Sequence, residues 1–295
     1  TNFYAVTGHG ELLLGETGQN LLRKSNVNYD TFEIMTAAAV PEDCDILYIS
    51  VPSIDYTESE LALLESYLAS GGDFIITAMY QENMPNFNKL LARFGVEAAA
   101  GVILEGDADH YLPNYPYAIF PVITVEHEIS RKLTGSSYLP ILSATALNKM
   151  EGNSALTFTT LLKTTDQAYL KKTSGGYITS VSKEKGDAEG PFPVGLFVEN
   201  GDTGSQAVII SSGSVFTDDY LSVASYQNSQ LLTGSVNFMA DAEVIVPVRT
   251  ISFDTKETLT VTASESIRMA IIFAAVIPAV LVLVGVVIMV RRRKR

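Results

Sequence analysis

Short apolar runs alternate with amphipathic ones over the first hundred residues. FYAVTG (3–8) predicts a strand, followed by a helix ending near Lys24; TFEIM (31–35) predicts another strand. The continuous apolar run DILYISV (45–51) predicts a strand buried on both faces. From Thr57 to Ala69, Leu61, Leu64, Tyr67 and Leu68 share one helical face, and the spacing of Thr57 and Glu60 makes a capping box. Gly71 and Gly72 close that helix, DFIITAM (73–79) follows as a strand, and Pro85–Phe94 forms a helix closed by Gly95. Strands and helices alternating at these spacings predict an α/β fold, a flavodoxin- or Rossmann-like parallel sheet with helices on both faces.

This first part of the sheet occupies residues 1–100. The stretch 101–193 is less regular, with Pro113, Pro116 and Pro121 beside Tyr111, Tyr115 and Tyr117, and reads as an insertion of loops and short strands that ends in the loop KEKGDAEGPFP (183–193). Residues 194–265 complete the body: strands VGLFVE (194–199) and QAVIISSG (206–213) joined by the turn NGDTG, a helix over Asn228–Met239, and strand-like VRTISF (248–253) and LTVTA (259–263).

Met269 to Val290 are 22 uncharged, mostly aliphatic residues that include Pro278 and Gly285. As a helix they reach about 33 Å, enough to cross a bilayer core once, and Pro and Gly are both tolerated in such helices. Arg291, Arg292, Arg293, Lys294 and Arg295 follow directly, against Arg268 alone before the span. The positive-inside bias puts this tail in the cytoplasm and the body outside the cell membrane; the opposite arrangement, a tail anchor with a cytoplasmic body, would send five cations across. Residue 1 is Thr, with no signal peptide, so export of the body calls for a signal upstream and the chain reads as the C-terminal part of a longer protein.

Charge narrows the partners. Residues 1–267 hold 14 basic against 33 acidic side chains, a net of −19. Such a body repels phosphate backbones and anionic headgroups, which excludes nucleic-acid binding and adsorption to a lipid surface as readings. The single cysteine, Cys44, rules out an intrachain disulfide and reads as a small buried hydrophobe.

A strand ending in TGHGE (Thr7–Glu11), then AVPEDCDILYISVPSIDYTESELALLESYLASGGDFII, a PFPVG strand, IISSGSVFTDD with YQN and a helix, and a C-terminal span with an arginine cluster resemble the GldG-type auxiliary components of ABC-2 transporters. The resemblance covers nearly the whole chain, and the family pattern carries a further membrane helix and domain upstream. It implies a class I glutamine-amidotransferase-like fold, also seen in intraflagellar transport proteins, with β-rich additions and one C-terminal transmembrane helix. The implied function is that of a non-catalytic, cofactor-free, membrane-anchored accessory subunit that partners an ABC-2 permease and its ATPase. No GxxxxGK[ST] occurs here, so ATP binding is left to a separate chain; the family's association with gliding does not transfer to this chain.

Candidate chemistry concentrates in two loops. Gly8, His9, Gly10 and Glu11 stand where the first strand turns toward the first helix, the rim where ligands bind in open α/β sheets. Either this is a ligand site whose helix-start amides take an anion, or it is a tight turn with Glu11 compensating the helix dipole. Ser214 and Asp218, in SSGSVFTDD, are the second candidate pair; the loop lacks GxSxG, and Asp218 and Asn228 also read as residues that hydrogen-bond loops. A membrane-anchored hydrolase or ligand receptor using the GHGE rim is the alternative function. An amidotransferase-type triad is not evident, since Cys44 precedes its strand and Tyr80 and Gln81 follow DFIITAM. Asp107, Asp109 and His110, with Glu126, His127 and Glu128, carry metal-ligand atoms at short spacing, but the twelve-residue loop of an EF-hand is absent and they read as solvated acidic loops with no metal assigned.

Overall fold

The computed structural model describes residues 1–133, 138–173, 178–240 and 260–293. Strand β1 (Asn2–Thr7) leads to helix α1 (Glu16–Lys24), β2 (Asn28–Glu33), β3 (Ile46–Ser50), α2 (Glu58–Ala69), β4 (Asp73–Thr77) and α3 (Pro85–Arg93). The main sheet runs β2–β1–β3–β4, then the strands Gln206–Ile210, Pro193–Asn200, Leu156–Lys163 and Val122–Ile123. The first five are parallel and the last three join antiparallel. This is the doubly wound order, with its switch point at β1.

Alternation along the central strands builds two cores. Phe3, Ala5, Ile46, Tyr48 and Ile75 pack on the face covered by Leu22 of α1 and by Leu231, Leu232 and Val236 of the helix Asn228–Met239. Val6, Leu47, Ile49, Phe74 and Ile76 pack on the other face, under Leu61, Leu64 and Leu68 of α2 and Phe87, Leu90 and Leu91 of α3. All five residues of β3 are buried, as an apolar strand covered on both sides requires. β2 lies at the edge, exposes Asn28, Asp30, Thr31 and Glu33, and buries only Phe32; it starts three residues before the predicted TFEIM run. Charges on an exposed edge discourage further strand pairing.

The middle of the chain holds short strands in three small sheets, but it also supplies Leu156–Lys163, an eight-residue strand of the main sheet that the sequence reading passes over. Buried Glu105 anchors this region, its carboxylate accepting from Gly106 N at 2.9 Å, Asp107 N at 3.0 Å, Thr165 N at 3.2 Å and Thr165 Oγ1 at 2.6 Å.

VRTISF (248–253) lies outside the described residues, as do Lys294 and Arg295. LTVTA (259–263) is no strand where it is described: Thr260–Thr262 are irregular and Ala263 opens a helix to Arg293, long and apolar enough to cross a membrane. Thr262 and Glu265 form a capping box at its start, a TxxE signal masked in the sequence by the β-branched run before it. A π-helical turn, Ile272–Val276, precedes Pro278, where the missing proline N–H breaks the regular bonding pattern. The helix start is tied to the body: Ser264 N donates to Ala108 O at 2.9 Å, Ser264 Oγ bonds Asp109, and Tyr138 OH donates to Glu265 at 3.0 Å.

Candidate functional site

The loops leaving β1 and β3 flank the switch point, where ligands bind in this topology. They are stitched to each other. His9 O accepts from Ser53 N at 2.8 Å and Ile54 N at 3.1 Å, and Leu12 N donates to Ser50 O at 2.9 Å. Ser53 Oγ donates to Gly10 O at 3.1 Å. Gly10 has φ +75°, and a β-carbon there would meet Ser53 at 3.1 Å, so the close approach of the two loops requires glycine.

His9 and Glu11 point into this junction. Glu11 Oε2 accepts from His9 N at 2.8 Å and Oε1 from Tyr56 OH at 2.9 Å. The buried His9 ring lies edge-on to Tyr56, centroids 4.9 Å apart, and Nε2 stands 3.1 Å from Glu60 Oε2, off the line of a hydrogen bond. Burial pushes the Glu60 carboxyl up, but the Thr57 amide and hydroxyl, with a smaller pull from His9, outweigh it and hold Glu60 below the usual range. Burial, reinforced by the charge of Glu11, raises the Tyr56 phenol well above its ordinary value and keeps it a donor.

The first helix begins at Glu16, five residues beyond Glu11, so Glu11 does not compensate its dipole and GHGE does not supply its amides. That end is taken by Asp218, whose carboxylate accepts from Thr17 N at 3.2 and 3.3 Å and from Gly18 N at 3.4 Å. A β-carbon on Gly15 would meet Asp218 Oδ2 at 2.4 Å, which explains the glycine. The helices after β3 and β4 are likewise occupied. Thr57 and Glu60 cap α2, and Asp55 accepts from Asn86 N and Phe87 N, both at 2.9 Å, at the start of α3. Asp55 and Tyr56 carry no signal of these roles in the sequence, because their partners lie 31 to 45 residues away.

The structure thus separates the two candidate groups. His9 and Glu11 engage the β3 loop and α2, whereas Asp218 serves α1. Ser214 faces Ser212 Oγ at 3.3 Å, and its carbonyl accepts from Thr217 N and Oγ1 at 3.0 and 2.9 Å. Asn228 donates to Pro140 O at 3.2 Å and Val215 O at 3.0 Å. The residue strained at the end of a central strand is Val51, with φ +41°, whose side chain offers no nucleophile.

Among the described residues, no group of histidine, cysteine and carboxylate side chains is placed to hold a metal ion. His127 Nδ1 accepts from Ile129 N at 3.2 Å and its ring packs on Phe197 and Phe238, while Glu128 pairs with Lys132 at 2.6 Å. Burial lowers the His127 pKa despite nearby carboxylates. Asp107 accepts from Asp109 N at 3.0 Å and His110 Nδ1 donates to Phe120 O at 2.8 Å.

A cavity of about 630 Å³ lies at the other end of the strands, where β1, β3 and β4 begin, beside Cys44, Tyr67 and Asp73. Cys44 is partly buried, donates to Tyr67 OH at 3.5 Å, and burial pushes its thiol up to about 11, which makes it a poor nucleophile. Asp73 is pushed up to about 6, chiefly by burial against the opposing bond from Gln206 N.

Comparison with known proteins follows the same lines. The N-terminal domain of mmIFT52 superposes with a TM-score of 0.58 at 16% identity, covering 83% of this chain and 99% of that domain; at this identity the likeness is one of fold. A putative ThuA-like protein from Parabacteroides merdae matches at 0.48 and 10% identity over 88% of this chain and 96% of its own. The values for PurLQS from Thermotoga maritima are 0.43 and 8%, over 81% and 98%. The fold is a mixed parallel and antiparallel α/β sheet with small additional sheets, similar to that of the mmIFT52 N-terminal domain. No curated protein sequence matches the chain. The model of a family described as an ABC-type uncharacterized transport system matches residues 4–242, and the chain belongs to that family of ABC transport auxiliary components.

Proposed function

We propose that this chain is a non-catalytic, membrane-anchored accessory subunit of an ABC-2 type exporter, of the GldG type. In this reading its α/β body stands outside the membrane, docks on the permease or handles the permease's substrate, and works with a separate ATPase chain. The family match over residues 4–242 carries the reading. The apolar helix Ala263–Arg293, with its basic end, supports the anchor and the orientation. The switch-point loops support a docking role over a small-ligand role, because the carboxylates of Glu11, Asp55 and Asp218 and the start of the first helix are bonded within the chain. Orientation is tested by introducing cysteine at exposed Ser182 in the full chain and treating intact cells with a membrane-impermeant maleimide. The thiol of Cys44 leaves a low background. Labelling without permeabilisation is expected; labelling only after permeabilisation would overturn the extracytoplasmic placement.

A further inference from the structure

Four large apolar side chains stand exposed around the switch point: Leu12 at 44%, Leu13 at 42%, Met35 at 61% and Ile54 at 64%. They form one rim. Ile54 is bonded through its amide to His9 O, Met35 packs beside Gly8, and Leu12 lies over Gly213. Their exposure contrasts with Glu11 and Asp55 of the same loops, whose carboxylates are bonded within the chain. The loops 8–15, 51–57, 78–84 and 211–217 contain no Lys or Arg, and their exposed carboxylate is Glu82, with exposed Glu16 and Glu33 beside them. Lys89, in α3, is already paired with Glu58 at 2.7 Å.

A chain of contacts links the first-helix end of the rim to the residues that precede the apolar helix. Asp218 caps α1 directly behind Leu13 and Gly15, Tyr220 stacks on Tyr226 at 6.0 Å, and Tyr226 OH accepts from Thr260 Oγ1 at 3.2 Å, two residues before the helix cap. An acidic, cation-free border disfavours an anionic lipid surface, and it equally disfavours a second copy of the same border.

We infer that this rim is the docking surface for an apolar segment flanked by Lys or Arg on the membrane-embedded partner. The inference rests on the accessory-subunit reading and names the surface and the chemistry of the contact. Leucine and isoleucine supply the apolar centre, and the carboxylate border selects the basic flanks.

The test uses the full-length tagged chain in native membranes, with a photoreactive residue at Leu13 or Ile54 and, as control, at exposed Val181 on another part of the body. Adducts from the first two positions are expected with the permease, and none from the third. The double variant Leu13→Asp/Ile54→Asp is expected to lower permease recovery about tenfold, with an unchanged melting temperature because both side chains are exposed. Permease recovery by the unsubstituted chain, combined with rim adducts to lipid, to a second copy or to nothing, would overturn the rim assignment and leave the accessory role standing. Failure of the unsubstituted chain to recover a permease would overturn the accessory role, and the rim assignment with it.

Discussion

Asp218 occupies the one position where a doubly wound fold would most readily take an anion, the amides at the start of the first helix. Replacing it with Ala removes the acceptor for Thr17 N and Gly18 N and the negative charge at the positive end of α1. Loss of an N-cap acceptor costs about 1 kcal/mol and loss of the dipole interaction roughly another 0.5 to 1. The sum, about 2 kcal/mol, corresponds to a drop of about 4 to 8 °C in melting temperature for a body of this size. The chain has no tryptophan, so unfolding of the full protein in mild detergent is followed by far-UV circular dichroism. Two controls separate a cap from a general defect. In Asp218→Ala the vacated amides are open to sulfate, so sulfate should raise its midpoint by more than it raises that of the unsubstituted chain. Gly15→Ala should be strongly destabilising alone, because its β-carbon meets Asp218 Oδ2 at 2.4 Å, and much less so in the Asp218→Ala background. A fall below about 0.5 kcal/mol in Asp218→Ala, or equal cost of Gly15→Ala in both backgrounds, would refute the capping role.

Other consequences are accessible to the same measurement. Asp73 has its folded pKa raised to about 6 from 3.8, so ionisation penalises the fold increasingly above pH 3.8 and fully above about 6; Asp73→Asn should stabilise by about 1 to 2 kcal/mol at pH 8, after allowance for its partial exposure, and by nothing near pH 3. Glu60 is shifted the other way, so its contribution is present above its unfolded value of 4.5 and is lost as pH falls through the lower folded value. Glu60→Gln, which keeps a capping side chain, should lower the midpoint at pH 6, with the difference closing toward pH 3; a pH-independent difference would remove the ionised Glu60 carboxylate from the account. Glu105→Ala strands donors on Gly106, Asp107 and Thr165 and should cost about 3 kcal/mol in urea unfolding, whereas a cost under 1 would show that water replaces the carboxylate.

The central strands and the helices α2 and α3 were legible because their information is local. An apolar run such as ILYIS, a TxxE cap and a leucine stripe each fall within a few residues. The same locality misled at Thr260–Thr262, where β-branched residues outweighed a capping box that begins a helix. Leu156–Lys163 was hidden because its apolar alternation is interrupted at Thr159 and Thr160, beside the bulge that shifts its register. At the rim, the glycines and the strand-end position were readable, but the roles of their neighbours were not. Asp218 reaches α1 across some two hundred residues and Asp55 reaches α3 across thirty; such pairings depend on which strand ends the topology brings together. Glu11, read as a partner of the helix dipole, instead bonds Tyr56 and the backbone of His9.

The accessory role is tested most directly by extracting the full-length tagged protein from native membranes in mild detergent and identifying co-purifying chains by mass spectrometry, with a tagged unrelated single-span protein as control. The account predicts a polytopic permease together with a P-loop ATPase, both missing from the control. Recovery of the chain alone, after crosslinking as well, would contradict it.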